Sequence, residues 1–397
     1  MSCSGTERVV SLLKTLVAFD TVSEHSDYQC AAFVESQLSQ SGARTGIISE
    51  EVGGVQKCSV YGVFGPMNER GLVVCGHLDT VPFEGQEGWQ SPPLGLSRRG
   101  DRLHGRGTAD MKGFIAQCLA AAPLLKRESL RRPIIFLFTC DEELGGAGSR
   151  RLCPRLENLL PCKLPLEGWI GEPTAYRVLS AQKGYITFNV VVRGVGGHSS
   201  TPDNGCNAIT AAAIVVEAMA RLDRAWATGV GSVKDPAFQG SPTSRLNVAR
   251  ICGGSALNMI PESCELAVSI RVVPTDNTGA LLQQVRDEMH SALQRAYASV
   301  PVTPSLQVST PVITPGMASS GNASIERLLK KQLGQAAREG APFATDAGSL
   351  AEIGCECAVC GPGQLEQAHQ ANEFIGIQPL LSGVDLIVNV CQAWSGL

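Results

Sequence analysis

At 397 residues, with a formal net charge of −4 and 44% hydrophobic against 18% charged residues, the chain is longer than one ordinary core requires and is expected to form two domains. Its slight acidity argues against a nucleic-acid partner, its lack of long like-charge runs against a disordered tail, and its lack of long apolar runs against a membrane span. Fifteen cysteines, an odd number, behind an N-terminus with neither the basic start nor the apolar core of a secretory signal, favour reduced thiols and a cytoplasmic location.

Residues 6–19 and 26–38 carry apolar side chains at helical recurrence, and residues 57–64 read as a strand. The next stretch, LVVCGHLDTV, is a short apolar run of the kind a doubly buried strand requires. It delivers His77 and Asp79 to the strand's C-terminal end, the edge at which open α/β sheets bind ligands. One ring nitrogen of His77 can take a metal while a carboxylate such as Asp79 holds the other. Residues 84–107 look like a loop with few apolar anchors, so something else must fix it. It runs into GRGTADMKGF, where a helix is expected to begin near Met111, with Asp110 either capping it or presented to a site.

A second apolar run, PIIFLFT, ends in CDEELGG, which places Asp141, Glu142 and Glu143 side by side. Three adjacent acids repel one another, and a compensating cation is the simplest reason to tolerate them. A third run, LEGWIGEP, delivers Glu172. Three successive strands thus end in acids or a histidine.

From Lys183 the texture changes to alternating antiparallel strands and two amphipathic helices in the order β, α, β, β, α. The expected organisation is a catalytic α/β domain over residues 1–182 and 300–397, with a mixed sheet flanked by helices, interrupted by a smaller α+β domain over residues 183–299. The last section holds a helix at 323–337, an apolar strand ending in GPG, His369 in AHQANEF, and a closing helix at 378–394. Cys355, Cys357 and Cys360 in CECAVC have ligand-like spacing but no second cluster, which disfavours a zinc-thiolate site.

Two imidazoles and three carboxylates suit zinc, cobalt or manganese. Asp110, Glu143 and Glu172 carry −3, and a shared hydroxide brings −4, which balances two divalent cations, most simply Zn2+ with Co2+ as the alternative. On this count Asp110 bridges, His77 and Glu172 complete one ion, and Glu143 and His369 complete the other. Glu142 is left without a metal, free to act as general base in amide hydrolysis.

The segments GHLDTVPF, GRGTADMKGF, CDEELGG, IGEPT, GGHSSTPDNGCNAI, GGSALNMIPESCEL with SIRVVP, and GPGQLEQAHQANEF follow one another over nearly the whole chain. In this order they resemble the family of acetylornithine deacetylase, succinyl-diaminopimelate desuccinylase, aminoacylase and carboxypeptidase G. The resemblance implies a dinuclear-metal amidohydrolase acting on a small N-acyl amino acid, with the insert serving as lid and dimerisation domain of a homodimer. It also implies the same roles for His77, Asp79, Asp110, Glu142, Glu143, Glu172 and His369. His198 would stabilise an oxyanion in the partner subunit's site, and Asn258 and Arg271 would hold substrate, Arg271 through its planar fork. The C-terminal segments most resemble the acetylornithine deacetylase branch, whose product feeds arginine biosynthesis. Gln182, where a His is expected, and TDAGSL at residues 345–350 depart from that branch and leave desuccinylation or dipeptide cleavage as alternatives. A rival of another class is a metal-binding scaffold without catalysis, which would have no need of a free base at Glu142.

Overall fold

A computed structural model describes residues 5–396. The chain divides into two compact units. The first comprises the chain up to Ala181, Met317–Glu339 and the chain from Ala344, and the second comprises Gln182–Gly316 with Gly340–Phe343.

The first unit is built on a six-stranded mixed sheet in the order Arg44–Val52, Val55–Phe64, Ile134–Thr139, Leu72–His77, Glu167–Ile170, Glu356–Val359. The first two strands form a hairpin, and Val55–Phe64 runs antiparallel to Ile134–Thr139. The remaining neighbours are parallel, with Leu72 opposite Ile134 and Cys75 opposite Ile170. Leu72–His77, Ile134–Thr139 and Glu167–Ile170 are buried at every position, as parallel strands covered on both faces must be. Because these three run the same way, their C-terminal ends emerge along one edge.

Alternation divides the faces. Gly76 abuts Met111 and Phe114 at the start of the Lys112–Ala121 helix, whereas Cys75 points the other way, toward Asp346 at the start of Ala347–Glu352. All ten residues of Lys112–Ala121 are buried. It packs with the helices Gly5–Ala18 and Ile377–Ser395 and shares with them the large core that includes Leu13, Leu16, Phe114, Phe136, Trp169 and Trp394. Residues 84–107 contain two short strands, Ser97–Arg99 and Arg102–His104. The second pairs with Phe374–Gly376, so a segment far along the chain pins the loop.

In the second unit a five-stranded antiparallel sheet has the order Arg245–Gly253, Ser263–Val272, Gly184–Arg193, Ser305–Val308, with Val312–Thr314 also paired to Gly184–Arg193. Buried and less buried residues alternate along the central strands. The buried set, including Phe188, Val190, Leu266 and Ile270, packs under the helices Ala208–Thr228 and Thr278–Ala296. Asn207 caps the first helix by accepting from Ile209 N and Thr210 N. The unit extends past the expected end at residue 299 because Ser305–Val308 and Val312–Thr314 add strands to its sheet. The prolines that flank them, Pro304, Pro311 and Pro315, are tolerated at a sheet margin.

Among the described residues no helix is long and apolar enough to cross a membrane. The described cysteines are free thiols, all buried except Cys252. Those of CECAVC lie along and beside the buried strand Glu356–Val359.

Candidate active site and metal centre

His77 is the last residue of its strand and is 1% exposed. Its Nδ1 donates to the backbone oxygen of Asp79 at 2.9 Å. A carbonyl can only accept, so Nδ1 carries a proton and Nε2 is the nitrogen turned to the site, where without a metal it donates to Asp110. The Asp79 carboxylate stands farther off, at 3.7 Å from Nδ1, and has other partners. It accepts from Ser23 Oγ at 2.6 Å, Glu142 N at 3.0 Å and Glu143 N at 3.1 Å. The expected pairing of Asp79 with His77 is thus made by its main chain, while its side chain fixes the acidic turn.

Asp110 precedes Met111, the N-cap residue of Lys112–Ala121, where no side-chain cap forms, so capping is not its role. It is presented by a loop that Glu373 organises, a residue the sequence reading passed over. Glu373, 1% exposed, accepts from Gly107 N, Ala109 N and Asp110 N at 2.8–3.1 Å and pairs with Arg106 at 2.9 Å. Its signal in the sequence is the acid that ends AHQANE.

The acidic triplet separates by role. Asp141 is fully buried and paired with Lys57 Nζ at 3.1 Å and Arg151 Nη2 at 2.7 Å, so its compensating cations are protein side chains rather than a metal. Glu143 lies 3.1 Å from His369 Nε2, which is itself 3.5 Å from Asp110 Oδ2. Asp110 Oδ1 lies 3.0 Å from His77 Nε2. Two donor groups result, His77 with Asp110 and Glu172, and Asp110 with Glu143 and His369, each with ligand atoms within 4.8 Å of one another. Asp110 belongs to both. Glu142 belongs to neither, and its carboxylate takes no hydrogen bond from the described residues. Glu172 is held close by tight packing: a Cβ on Gly171 would sit 2.0 Å from the Phe114 ring.

The electrostatics are those of a site deficient in positive charge. Burial, reinforced by Glu172, pushes the Glu142 carboxyl well above its usual range. Burial and Asp110 do the same to Glu172. Burial opposes ionisation of Asp110, but hydrogen bonds to His369 and His77 outweigh it and hold that carboxyl low. Hydrogen bonds to Asp110 and Glu143 push His369 up to about 10.

The sequence profile of Peptidase family M20/M25/M40 matches residues 73–393. The chain belongs to this family. It is 31% identical over 383 residues to an acetylornithine deacetylase of Myxococcus xanthus, covering 93% of each chain. It is 35% identical over 329 residues to that of Proteus mirabilis (strain HI4320), covering 81% of this chain and 80% of the relative. Among solved structures, Bacillus subtilis YXEP protein, described as a dinuclear metal-binding peptidase of the M20 family, superposes with a TM-score of 0.68 at 14% identity over 98% of each chain. At that identity the likeness speaks for the fold.

The donors of this M20 chain fit divalent ions. They are nitrogen and oxygen atoms only, and Glu172 Oε1 is buried with no hydrogen-bond partner, a cost that a bound cation removes. Ligation by His369 requires loss of a proton whose pKa the hydrogen bonds to Asp110 and Glu143 raise to about 10. Metal affinity should therefore rise between about pH 6 and 9, by up to about tenfold per unit. Competition titration against a chelator of known pH dependence measures this, and a flat profile excludes His369 as a ligand. The stability linkage has the opposite sign. In the metal-free protein the raised His369 pKa contributes stability that is complete below 6.5 and is lost as pH climbs through about 10.

His198, Asn258 and Arg271 lie in the second unit. His198 is exposed, opposite Met259 in a short antiparallel pair, and Asn258 O accepts from Ser199 N. Ser200 N donates to His198 Nδ1 at 3.2 Å, so a neutral ring carries its proton on Nε2, available as a donor. Arg271 stacks on the Tyr185 ring, with Cζ 3.8 Å from its centroid.

Proposed function

We propose that the protein is a metal-dependent amidohydrolase that removes the acetyl group from N2-acetyl-L-ornithine in the cytoplasm. The observation that carries this reading is the identity to curated acetylornithine deacetylases over most of both chains, joined to two donor groups that share Asp110. His77, Asp110 and Glu172 would hold one ion and Asp110, Glu143 and His369 the other, with Zn2+ the best fit and Co2+ the alternative. Such ions, when bound, polarise an amide carbonyl and lower the pKa of water to about 7.

Glu142 takes the proton from the attacking water and passes it to the leaving nitrogen. Glu142 is half-buried, and the upward direction of its pKa shift goes with the stronger basicity that accepting a proton from water requires. Asp79 keeps the ring of His77 and the backbone of Glu142 and Glu143 in register. His198, with Nε2–H outward, donates to the developing oxyanion in a partner subunit of a homodimer, and Arg271 and Asn258 hold the substrate's carboxylate end. His198→Ala should lower kcat about a hundredfold or more with KM nearly constant, read by steady-state kinetics, and unchanged turnover would remove it from the mechanism.

The departures at Gln182 and at residues 345–350, where Asp346 is 1% exposed, favour a second reading within the same chemistry, a succinylated diamino acid or a dipeptide as substrate. Kinetics with acetylornithine, succinyl-diaminopimelate and dipeptides separate the two. A kcat/KM for acetylornithine below that of the other substrates overturns the first reading.

A further inference from the structure

Asp141 has φ of 52°, a left-handed conformation that a non-glycine residue keeps only where its surroundings fix it. What fixes it is a closed circuit of buried groups. Lys57, 4% exposed, makes an ion pair with Asp141 Oδ1 at 3.1 Å. Its ammonium also donates to the backbone oxygens of Ser23 and His25 at 2.5 and 2.7 Å. Ser23 Oγ donates to Asp79, which accepts from the amides of Glu142 and Glu143, and those residues follow Asp141 directly. The circuit runs from Lys57 through Ser23, Asp79 and the Glu142–Glu143 backbone to Asp141 and back to Lys57. Arg151 braces it from outside, bonding Asp141 Oδ2 and Glu50.

We infer that Lys57 is a positioning residue for hydrolysis, setting where the carboxylates of Glu142 and Glu143 stand. Its ammonium donates to two carbonyl oxygens while its charge faces Asp141 Oδ1, a compact arrangement that suits a point charge better than a planar guanidinium. The circuit touches no reacting atom. It acts by tying the loop beneath Asp79 and the turn bearing the base and one ligand to a single buried strand residue. This inference rests on the roles proposed above for Glu142 and Glu143.

Two variants test it. Lys57→Met strands Asp141 with one cation fewer and should lower both stability and turnover. Lys57→Met/Asp141→Asn removes the uncompensated charge, so its thermal midpoint should return toward the wild type, whereas the tether stays cut. In the double variant kcat at saturating zinc should remain about tenfold or more below the wild type with KM within about twofold, and zinc should bind the metal-free protein about tenfold more weakly. Recovery of kcat and zinc affinity together with stability would reduce Lys57 to a purely structural role and overturn the inference, as would wild-type values in Lys57→Met. The zinc titration needs no substrate, so it judges the circuit independently of which amide the enzyme cleaves. Wild-type turnover of acetylornithine beside an unaffected Lys57→Met would sink the circuit alone and leave the proposed function standing.

Discussion

Glu142→Gln should retain close to two metal ions per chain while kcat falls by about a hundredfold or more, the usual contribution of a positioned general base. The substitution keeps size and polarity and removes only the ability to accept a proton. Glu142 is in neither donor group, and its main-chain bond to Asp79 is untouched by a side-chain change. Metal analysis of the dialysed variant, paired with steady-state kinetics, makes the check. If metal and activity disappear together, Glu142 is a ligand and the base lies elsewhere.

Asp110→Ala should have the complementary outcome. Asp110 is common to both donor groups, so its loss should deplete both ions at micromolar free zinc and cost about a thousandfold in kcat, since the carbonyl activation that metals supply amounts to several kcal/mol. The fold should survive. Glu373 grips the backbone amides of Gly107, Ala109 and Asp110, not the Asp110 side chain. Circular dichroism matching the wild type, with metal content near zero, is the expected pair of results. A variant that still holds two ions would show that the two groups do not share this carboxylate. Together the two substitutions separate holding the metals from moving the proton, which one knockout cannot do.

Much of this site was legible before any coordinates. The buried runs that precede His77, Asp141 and Glu172 are parallel strands in the sheet, because a run apolar at every position has no stable place except between two covered faces. Once three such strands lie side by side, their polar ends must cluster. The boundary expected at residue 299 falls short because prolines signal a break in backbone pairing, and only the neighbouring Gly184–Arg193 strand reveals that strands form between them.

By itself the sequence determined which acids and histidines stand at the ends of the buried strands, since residue type and position at a strand end are both local properties. Only the tertiary structure decided how those groups are held. Asp141 is neutralised by Lys57 and Arg151, Asp79 serves the acidic turn more than His77, and Glu373 shapes the loop bearing Asp110 from 263 residues away. The physical reason is burial. A carboxylate removed from water must find donors wherever the packed chain supplies them, and which segments pack against it is fixed by the whole fold rather than by its neighbours in sequence.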